Sequence, residues 1–131
     1  MHLFAYGTLM FAEVWDRVVP RRFASQGGSV TGYRVRRAAG QLFPVMSRGE
    51  PVEQVPGLVY FDLDPETVSL LDEYESSLYD RAPVTVALDD GRTIECETYL
   101  LPDDRRGYAS EQSWTAAWFA DHGLAEYLRQ W

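Results

Sequence analysis

The chain has 131 residues, 46% of them hydrophobic and 14% aromatic, which supplies enough apolar surface for one core and excludes a disordered chain or a coiled coil. We therefore expect a single domain over residues 1–131. The formal net charge of −8, with no run of basic residues, argues against nucleic acid and membrane partners.

The first part of the chain has the pattern of two strands with one helix between them. Residues 2–6 are apolar enough for a buried strand that stops at Gly7, and residues 9–19 have an irregular helical pattern closed by Pro20. Residues 33–36 alternate apolar with charged side chains, as a half-buried strand does. We therefore expect sheet on both sides of this helix.

More strands are predicted in the middle of the chain. Residues 41–46 contain a proline and have the pattern of an irregular edge strand, and residues 57–63 give the clearest strand pattern in the sequence. Residues 84–88 and 93–101 have strand patterns on either side of the turn residues 89–91, which read Asp-Asp-Gly. This arrangement predicts a hairpin.

A well-defined helix is predicted between these strands. Asp64 supplies an N-cap side chain, Pro65 suits the first helical position and Glu66 places an acid in the first turn. The helix should run to about Tyr74 or Ser76.

The C-terminal part is predicted to be helical. Ser110 can cap a helix that carries Trp114, Ala117 and Trp118 on one face, and Gly123 interrupts it. Beyond the glycine, apolar residues repeat at helical spacing: Leu124, Tyr127, Leu128 and Trp131. The mixture of short strands and a few helices indicates an α+β fold, with a mixed or barrel-like sheet and flanking helices.

One acid of the middle helix is predicted to face the core. The apolar arc of that helix consists of Val68, Leu70, Leu71 and Tyr74. Glu75 projects between Leu71 and Val68, and burial there raises the pKa of a carboxyl towards the range useful for proton transfer. Two structural explanations stay open, a buried ion pair with Arg81 or a carboxylate that caps loop amides at the end of its helix.

A second candidate feature is the loop Tyr6-Gly7-Thr8-Leu9. A buried strand ends there on a glycine, and the backbone N–H groups that follow can point at a ligand before the next helix begins. Such a loop suits a carboxylate. A simple tight turn is the alternative explanation.

Four segments taken together carry a family resemblance. In chain order they are Phe4-Ala5-Tyr6-Gly7-Thr8-Leu9-Met10, Val55-Pro56-Gly57-Leu58-Val59-Tyr60, Leu71-Asp72-Glu73-Tyr74-Glu75 and Tyr79-Asp80-Arg81. In this combination they resemble the gamma-glutamylcyclotransferase-like family, over residues 3 to about 101. The resemblance implies a small β-barrel with flanking helices and a cavity at one mouth.

The resemblance also implies an activity and its residues. Members cyclise a gamma-glutamyl amide to 5-oxoproline and release the amine. The family's acid/base glutamate corresponds to Glu75, and its glutamyl-binding loop corresponds to Tyr6, Gly7, Thr8 and Leu9. Tyr79 and Arg81 match a further element and are candidate substrate-binding residues of undefined role, as cavity wall, supporting residue or ion partner.

Two positions depart from the family pattern. Ser76 follows the glutamate where the family often has glycine, which restricts the backbone at the helix end. The segment Phe43-Pro44-Val45-Met46 is altered and makes the leaving-group specificity uncertain. Beyond Pro102 no family motif is present.

Other nucleophiles and metal ligands are few. Cys96 is the single cysteine and alternates with Ile94 and Thr98 along a strand, so we expect a packed, inert thiol and no disulfide. With no secretory signal pattern, a cytoplasmic location is expected. His2 and His122 are too few for a zinc site, and no metal or cofactor is expected.

Two other functions remain open at this point. The same fold can serve as a non-enzymatic module that binds a small carboxylate or a partner, because a fold does not fix an activity. An enzyme in the same cavity can also carry out a different carboxylate-assisted amide or ester cleavage. The released amine and the oligomeric state are not defined by the sequence.

Overall fold

A computed structural model describes all 131 residues and contains eight strands and four α-helices. The strands are β1 Leu3–Ala5, β2 Ser25–Thr31, β3 Tyr33–Ala38, β4 Pro44–Arg48, β5 Gln54–Tyr60, β6 Asp80–Leu88, β7 Thr93–Leu100 and β8 Ala109–Ser113. The helices are α1 Ala12–Val18, α2 Pro65–Glu75, α3 Ala116–His122 and α4 Leu124–Arg129, and two 3₁₀ segments span Thr8–Met10 and Asp103–Tyr108.

Five strands form a closed barrel in the order β1-β5-β2-β6-β7. Its neighbours pair antiparallel except β1 and β7, which pair in parallel and close the barrel. The other three strands form a small sheet in the order β4-β3-β8, with β4 at one edge as the proline in its sequence predicts. The α+β class and the mixed barrel with flanking helices are therefore confirmed.

Alternation along β1 separates two apolar cores. Phe4 contacts the cluster inside the barrel, which also contains Val59 and Val86. Leu3 and Ala5 face the other way, into the cluster between the barrel and the helices. A short central strand therefore holds both cores together, and its last residues lead directly into the loop predicted to bind substrate.

Gly57 allows β1 and β5 to approach closely. A Cβ atom at this position would lie 2.7 Å from the Phe4 ring and would also collide with the Ala5 carbonyl. The glycine is therefore required by packing against β1.

Local signals located most of the elements. Asp64 caps α2 through its side chain, which accepts from the Thr67 N–H at 3.0 Å, and the predicted hairpin is β6–β7. The strand predicted over residues 57–63 starts earlier, at Gln54, and ends at Tyr60. It ends there because Asp62 turns the chain with a φ of 59°.

The predicted start of the C-terminal helix was wrong. Ser110 lies in β8, where its hydroxyl donates to the Arg37 carbonyl at 2.7 Å instead of capping a helix. The helix begins at Ala116, with Thr115 as its cap, and its buried residue is Phe119 while Ala117 is exposed. The break at Gly123 is confirmed.

No helix combines the length and the apolar character that a bilayer span requires.

Candidate active site

A cavity of about 180 Å³ opens where β1 ends and α2 ends. Sixteen residues line it, from β1 and the loop after it, the start of β4, the end of α2 and the segment that follows it, β7 and α4. Glu75 is the only acidic or basic side chain among them. The site is thus a mostly apolar pocket with one carboxyl group, an arrangement typical of small-molecule sites.

Glu75 is the last residue of α2 and is partly buried beside the cavity. Burial alone raises the pKa of its carboxyl to about 8. Every fully buried side-chain polar atom has a hydrogen-bond partner. Because no protein group donates to Glu75, its oxygens are accessible from the cavity.

The structure does not pair Glu75 with Arg81. The Arg81 guanidinium instead contacts Asp72 Oδ1 and Glu97 Oε2, each at 3.0 Å. Asp72 also accepts from the Tyr99 hydroxyl at 2.6 Å, so this network attaches α2 to the barrel. Neither the ion pair with Arg81 nor a cap on loop amides accounts for the inward carboxyl of Glu75.

The loop Tyr6-Gly7-Thr8-Leu9 forms the wall of the cavity next to Glu75. Its first turn closes with the Met10 N–H donating to the Gly7 carbonyl at 3.1 Å. The N–H groups of Gly7, Thr8 and Leu9 therefore have no partner within that turn.

Gly7 is needed for contact with Pro44. Its φ of −128° is open to any residue, but a Cβ atom there would lie 2.8 Å from the Pro44 side chain, which also lines the cavity. A branched residue would therefore push the loop and Pro44 apart.

Tyr6 and Tyr79 line the cavity, but their hydroxyl protons are already used. Tyr6 donates to the Tyr99 carbonyl at 2.6 Å and Tyr79 donates to the Pro44 carbonyl at 2.7 Å. Burial, followed by the charge of Glu75, raises the pKa of Tyr6 well above its ordinary value. Both side chains are thus neutral walls that fix the backbone around the site.

Three other hydroxyls form a chain across the cavity. Thr8 Oγ1 lies 2.7 Å from the Tyr74 hydroxyl, which hydrogen-bonds the Tyr127 hydroxyl in turn. Three O–H groups share two hydrogen bonds, so one proton is left over whichever way the chain is oriented. Burial raises the pKa of Tyr127, which keeps the group a neutral donor.

Of the residues predicted for the site, the structure brings Glu75, Tyr6, Gly7, Thr8, Leu9 and Tyr79 together around one cavity. Arg81 is not among the lining residues. The sequence predicts Tyr74 and Tyr127 only as members of apolar helix faces. The one signal of a site there is that each carries a hydroxyl among apolar residues. No role was predicted for Tyr99.

The remaining candidates lie elsewhere. Cys96 is buried inside the barrel, and burial raises the pKa of its thiol to about 11, which makes it a poor nucleophile. His122 Nδ1 lies 3.3 Å from the Trp118 carbonyl at the end of α3. No group of three or more His, Cys, Asp or Glu side chains is placed to hold a metal ion.

These elements define a class of site: a cavity at one end of a small barrel, with one partly buried acid and a loop whose backbone N–H groups are free. Residues 3–116 match the family described as gamma-glutamyl cyclotransferase, AIG2-like. Because the match spans most of the chain, the protein belongs to this family.

Solved structures share the fold at low sequence identity. A solution structure from Arabidopsis thaliana is 20% identical with a TM-score of 0.74, covering 98% of this chain and 78% of that one. An AIG2-like protein from Mus musculus is 20% identical with a TM-score of 0.65, covering 86% of each chain. A yeast gamma-glutamyl cyclotransferase specific to glutathione is 12% identical with a TM-score of 0.66, covering 100% of this chain and 87% of that one. No curated protein matches the sequence significantly.

Proposed function

We propose that this protein is a cyclotransferase that converts a gamma-glutamyl amine or gamma-glutamyl amino acid to 5-oxoproline and releases the free amine. The observation that carries the proposal is Glu75, a lone carboxyl with a pKa of about 8 that faces a small cavity beside the loop Tyr6-Gly7-Thr8-Leu9. A group with that pKa exchanges protons near neutral pH. Family membership supports the same reaction class.

The reaction needs only proton transfer and positioning, because the substrate carries its own nucleophile. The α-nitrogen attacks the γ-carbonyl carbon, a ring C–N bond forms and the amide C–N bond breaks. The α-ammonium starts with three protons and the ring nitrogen keeps one, so two protons end on the leaving nitrogen, which departs as an ammonium. Glu75 accepts one of these protons from the attacking nitrogen and returns it to the leaving nitrogen, and the other is exchanged through solvent.

The loop supplies the anchor for the substrate α-carboxylate. The cavity contains no Arg, Lys or His side chain, so a bound carboxylate depends on backbone N–H groups and hydroxyls. The N–H groups of Gly7, Thr8 and Leu9 are available for this role. Holding the carboxylate there folds the glutamyl chain back so that its amine reaches its own γ-carbonyl.

The hydroxyl chain Thr8–Tyr74–Tyr127 supplies the donor for the developing oxyanion. Tyr6 and Tyr79 donate to backbone carbonyls, whereas this chain keeps one proton for a ligand. A fixed donor in a mostly apolar cavity is worth more than one in bulk water.

The product identifies the reaction. The purified protein should release 5-oxoproline and free amine in equal amounts from a gamma-glutamyl dipeptide, as read by mass spectrometry. Free glutamate in place of 5-oxoproline would indicate hydrolysis, the other amide cleavage considered above. Binding without any product would favour a non-enzymatic carboxylate-binding module on the same fold.

A further inference from the structure

A second cavity of about 510 Å³ adjoins the first. The two share three lining residues, Phe43, Ser76 and Leu78. Its far wall includes Arg105 and Tyr108 of the 3₁₀ segment Asp103–Tyr108. This segment lies beyond the part of the sequence that carried the family motifs.

Arg105 is the only charged residue among the nine that line this second cavity. Its Nη1 donates to the carbonyls of Ser77 and Leu78, the latter at 3.0 Å. Nε and Nη2 have no acceptor, and no carboxylate lies within ion-pair distance. In a chain of net charge −8, where most arginines are paired with an acid, this guanidinium has unused donors.

The anchoring of Arg105 keeps it near the reacting atoms. Ser77 lies two residues after Glu75, so their Cα atoms are at most about 7.6 Å apart. In an α-amino acid leaving group the carboxylate carbon lies about 2.5 Å from the nitrogen that receives the Glu75 proton. Arg105 is held by carbonyls two and three residues after Glu75, on the segment where the two cavities meet.

We propose that the second cavity binds the leaving amine, and that Arg105 recognises a carboxylate on it through Nε and Nη2. This rests on the proposed cyclotransferase function and narrows it to gamma-glutamyl amino acids or peptides with a free carboxylate. Guanidinium and carboxylate form strong paired hydrogen bonds. The carboxylate of the leaving amine takes no part in the reaction, so the ring C–N bond still forms and the amide C–N bond still breaks.

Two aromatic side chains of the second cavity can pack against the leaving amino acid. Tyr108 is 57% exposed, a large aromatic surface with few packing partners. Together with Phe43 it provides apolar area beside Arg105 for the side chain of the leaving amino acid.

The test compares two substrates that differ only in this carboxylate: gamma-glutamylalanine and its C-terminal carboxamide. For the natural sequence, kcat/KM should favour the acid by about 10- to 100-fold, the usual worth of a charged hydrogen bond. Arg105→Gln should bring the ratio close to 1. The ratio is taken within one preparation, so a partly unfolded variant does not distort it.

Arg106→Gln is the matched control. Arg106 is the exposed neighbour, lines neither cavity and contacts Asp103 at 3.4 Å, so the ratio should stay as in the natural sequence. Equal kcat/KM for both substrates before mutation, with 5-oxoproline formed from each, would overturn the Arg105 proposal and leave the proposed function intact.

Absence of 5-oxoproline from both substrates would overturn the proposed function instead. Calorimetric binding of the same two compounds to the protein and to Arg105→Gln then tests Arg105 by itself. Tighter binding of the acid that the substitution abolishes supports the recognition of a carboxylate, and equal binding of the two compounds contradicts it.

Discussion

Glu75 shows how one residue acquires its chemistry from its position in a helix. It is the last residue of α2, on the side of the helix that packs against the barrel, and the neighbouring acid Asp72 takes the available arginine. Burial without a partner favours the neutral carboxyl, and this raises the pKa of Glu75 to about 8.

The raised pKa predicts how activity depends on pH. Only the carboxylate accepts a proton, so kcat/KM should rise about tenfold per pH unit below neutrality and level off near pH 8. A profile that is flat from about pH 5 to pH 8 would contradict the role of Glu75 as the base.

Thermal unfolding over the same range provides the control. The folded-state pKa of Glu75 is raised, so its contribution to stability is largest below the unfolded pKa of about 4.3 and is lost as pH rises through about 8. As pH rises, the contribution of Glu75 to stability therefore decreases while activity increases. If activity only followed this change in stability, it would decrease as pH rises.

Tyr74 is the central hydroxyl of the chain that we assign to the oxyanion. Tyr74→Phe removes both of its hydrogen bonds and leaves Thr8 and Tyr127 unoriented, so kcat should fall about 10- to 100-fold with little change in KM. Steady-state kinetics measures this split.

Tyr99→Phe is a matched control for Tyr74→Phe. The Tyr99 ring lines the cavity, but its hydroxyl donates outward to Asp72. Its loss should lower the melting temperature and leave kcat per folded molecule unchanged. A loss of kcat in Tyr99→Phe as large as in Tyr74→Phe would remove the argument for the hydroxyl chain.

At the scale of elements, the end of α2 contains a strained residue. Ser76, directly after Glu75, has a φ of 66° and a ψ of −174°, a conformation that suits glycine. The restriction expected from serine at this position is therefore observed: Ser76 adopts a backbone conformation that costs conformational free energy. Ser76 lines both cavities, so the strained residue lies where substrate is expected to bind.

Ser76→Gly should relieve this strain. The free energy of unfolding is expected to increase by about 1 kcal/mol, measured by chemical denaturation. Ser77→Gly is the control: Ser77 has no positive φ, so glycine there should cost about 0.5–1 kcal/mol instead. If both glycines destabilise the protein equally, Ser76 stores no strain.

At the scale of the whole molecule, the proposed substrate is an anion that must bind to an acidic protein. Glutamyl substrates carry at least one carboxylate, which a net charge of −8 repels on average. The N–H groups of residues 7–9 and the unpaired Arg105 supply local exceptions at adjoining cavities. Under the proposed function, substrate binding therefore depends on the local arrangement of these groups and not on the net charge of the protein.

Sequence patterns predicted the parts of the fold that are decided locally. Asp64, Pro65 and the Asp-Asp-Gly turn fix a helix start and a hairpin through neighbouring residues. The inward direction of Glu75 follows from helical periodicity alone. β8 was missed because its pairing with β3 joins Ser113 to Arg36, far apart in sequence, and no local signal encodes it.

The other contacts of the two cavities could not be predicted from the sequence for the same reason. Tyr127 meets Tyr74 only after α4 packs against the end of α2. Arg105 meets the Ser77 carbonyl only through the 3₁₀ segment after β7. Such contacts depend on how elements pack and not on the order of residues within one element.

The central claim, that Glu75 carries the proton, is tested most directly by Glu75→Gln. This change keeps the volume and removes the ability to accept a proton, so 5-oxoproline release should fall by about two to four orders of magnitude. The melting temperature should stay equal or rise, since a buried carboxyl without a partner is replaced by a neutral amide. Glu73→Gln, on the exposed face of the same helix, should change neither quantity. A destabilised Glu75→Gln protein that keeps its activity per folded molecule would contradict the account.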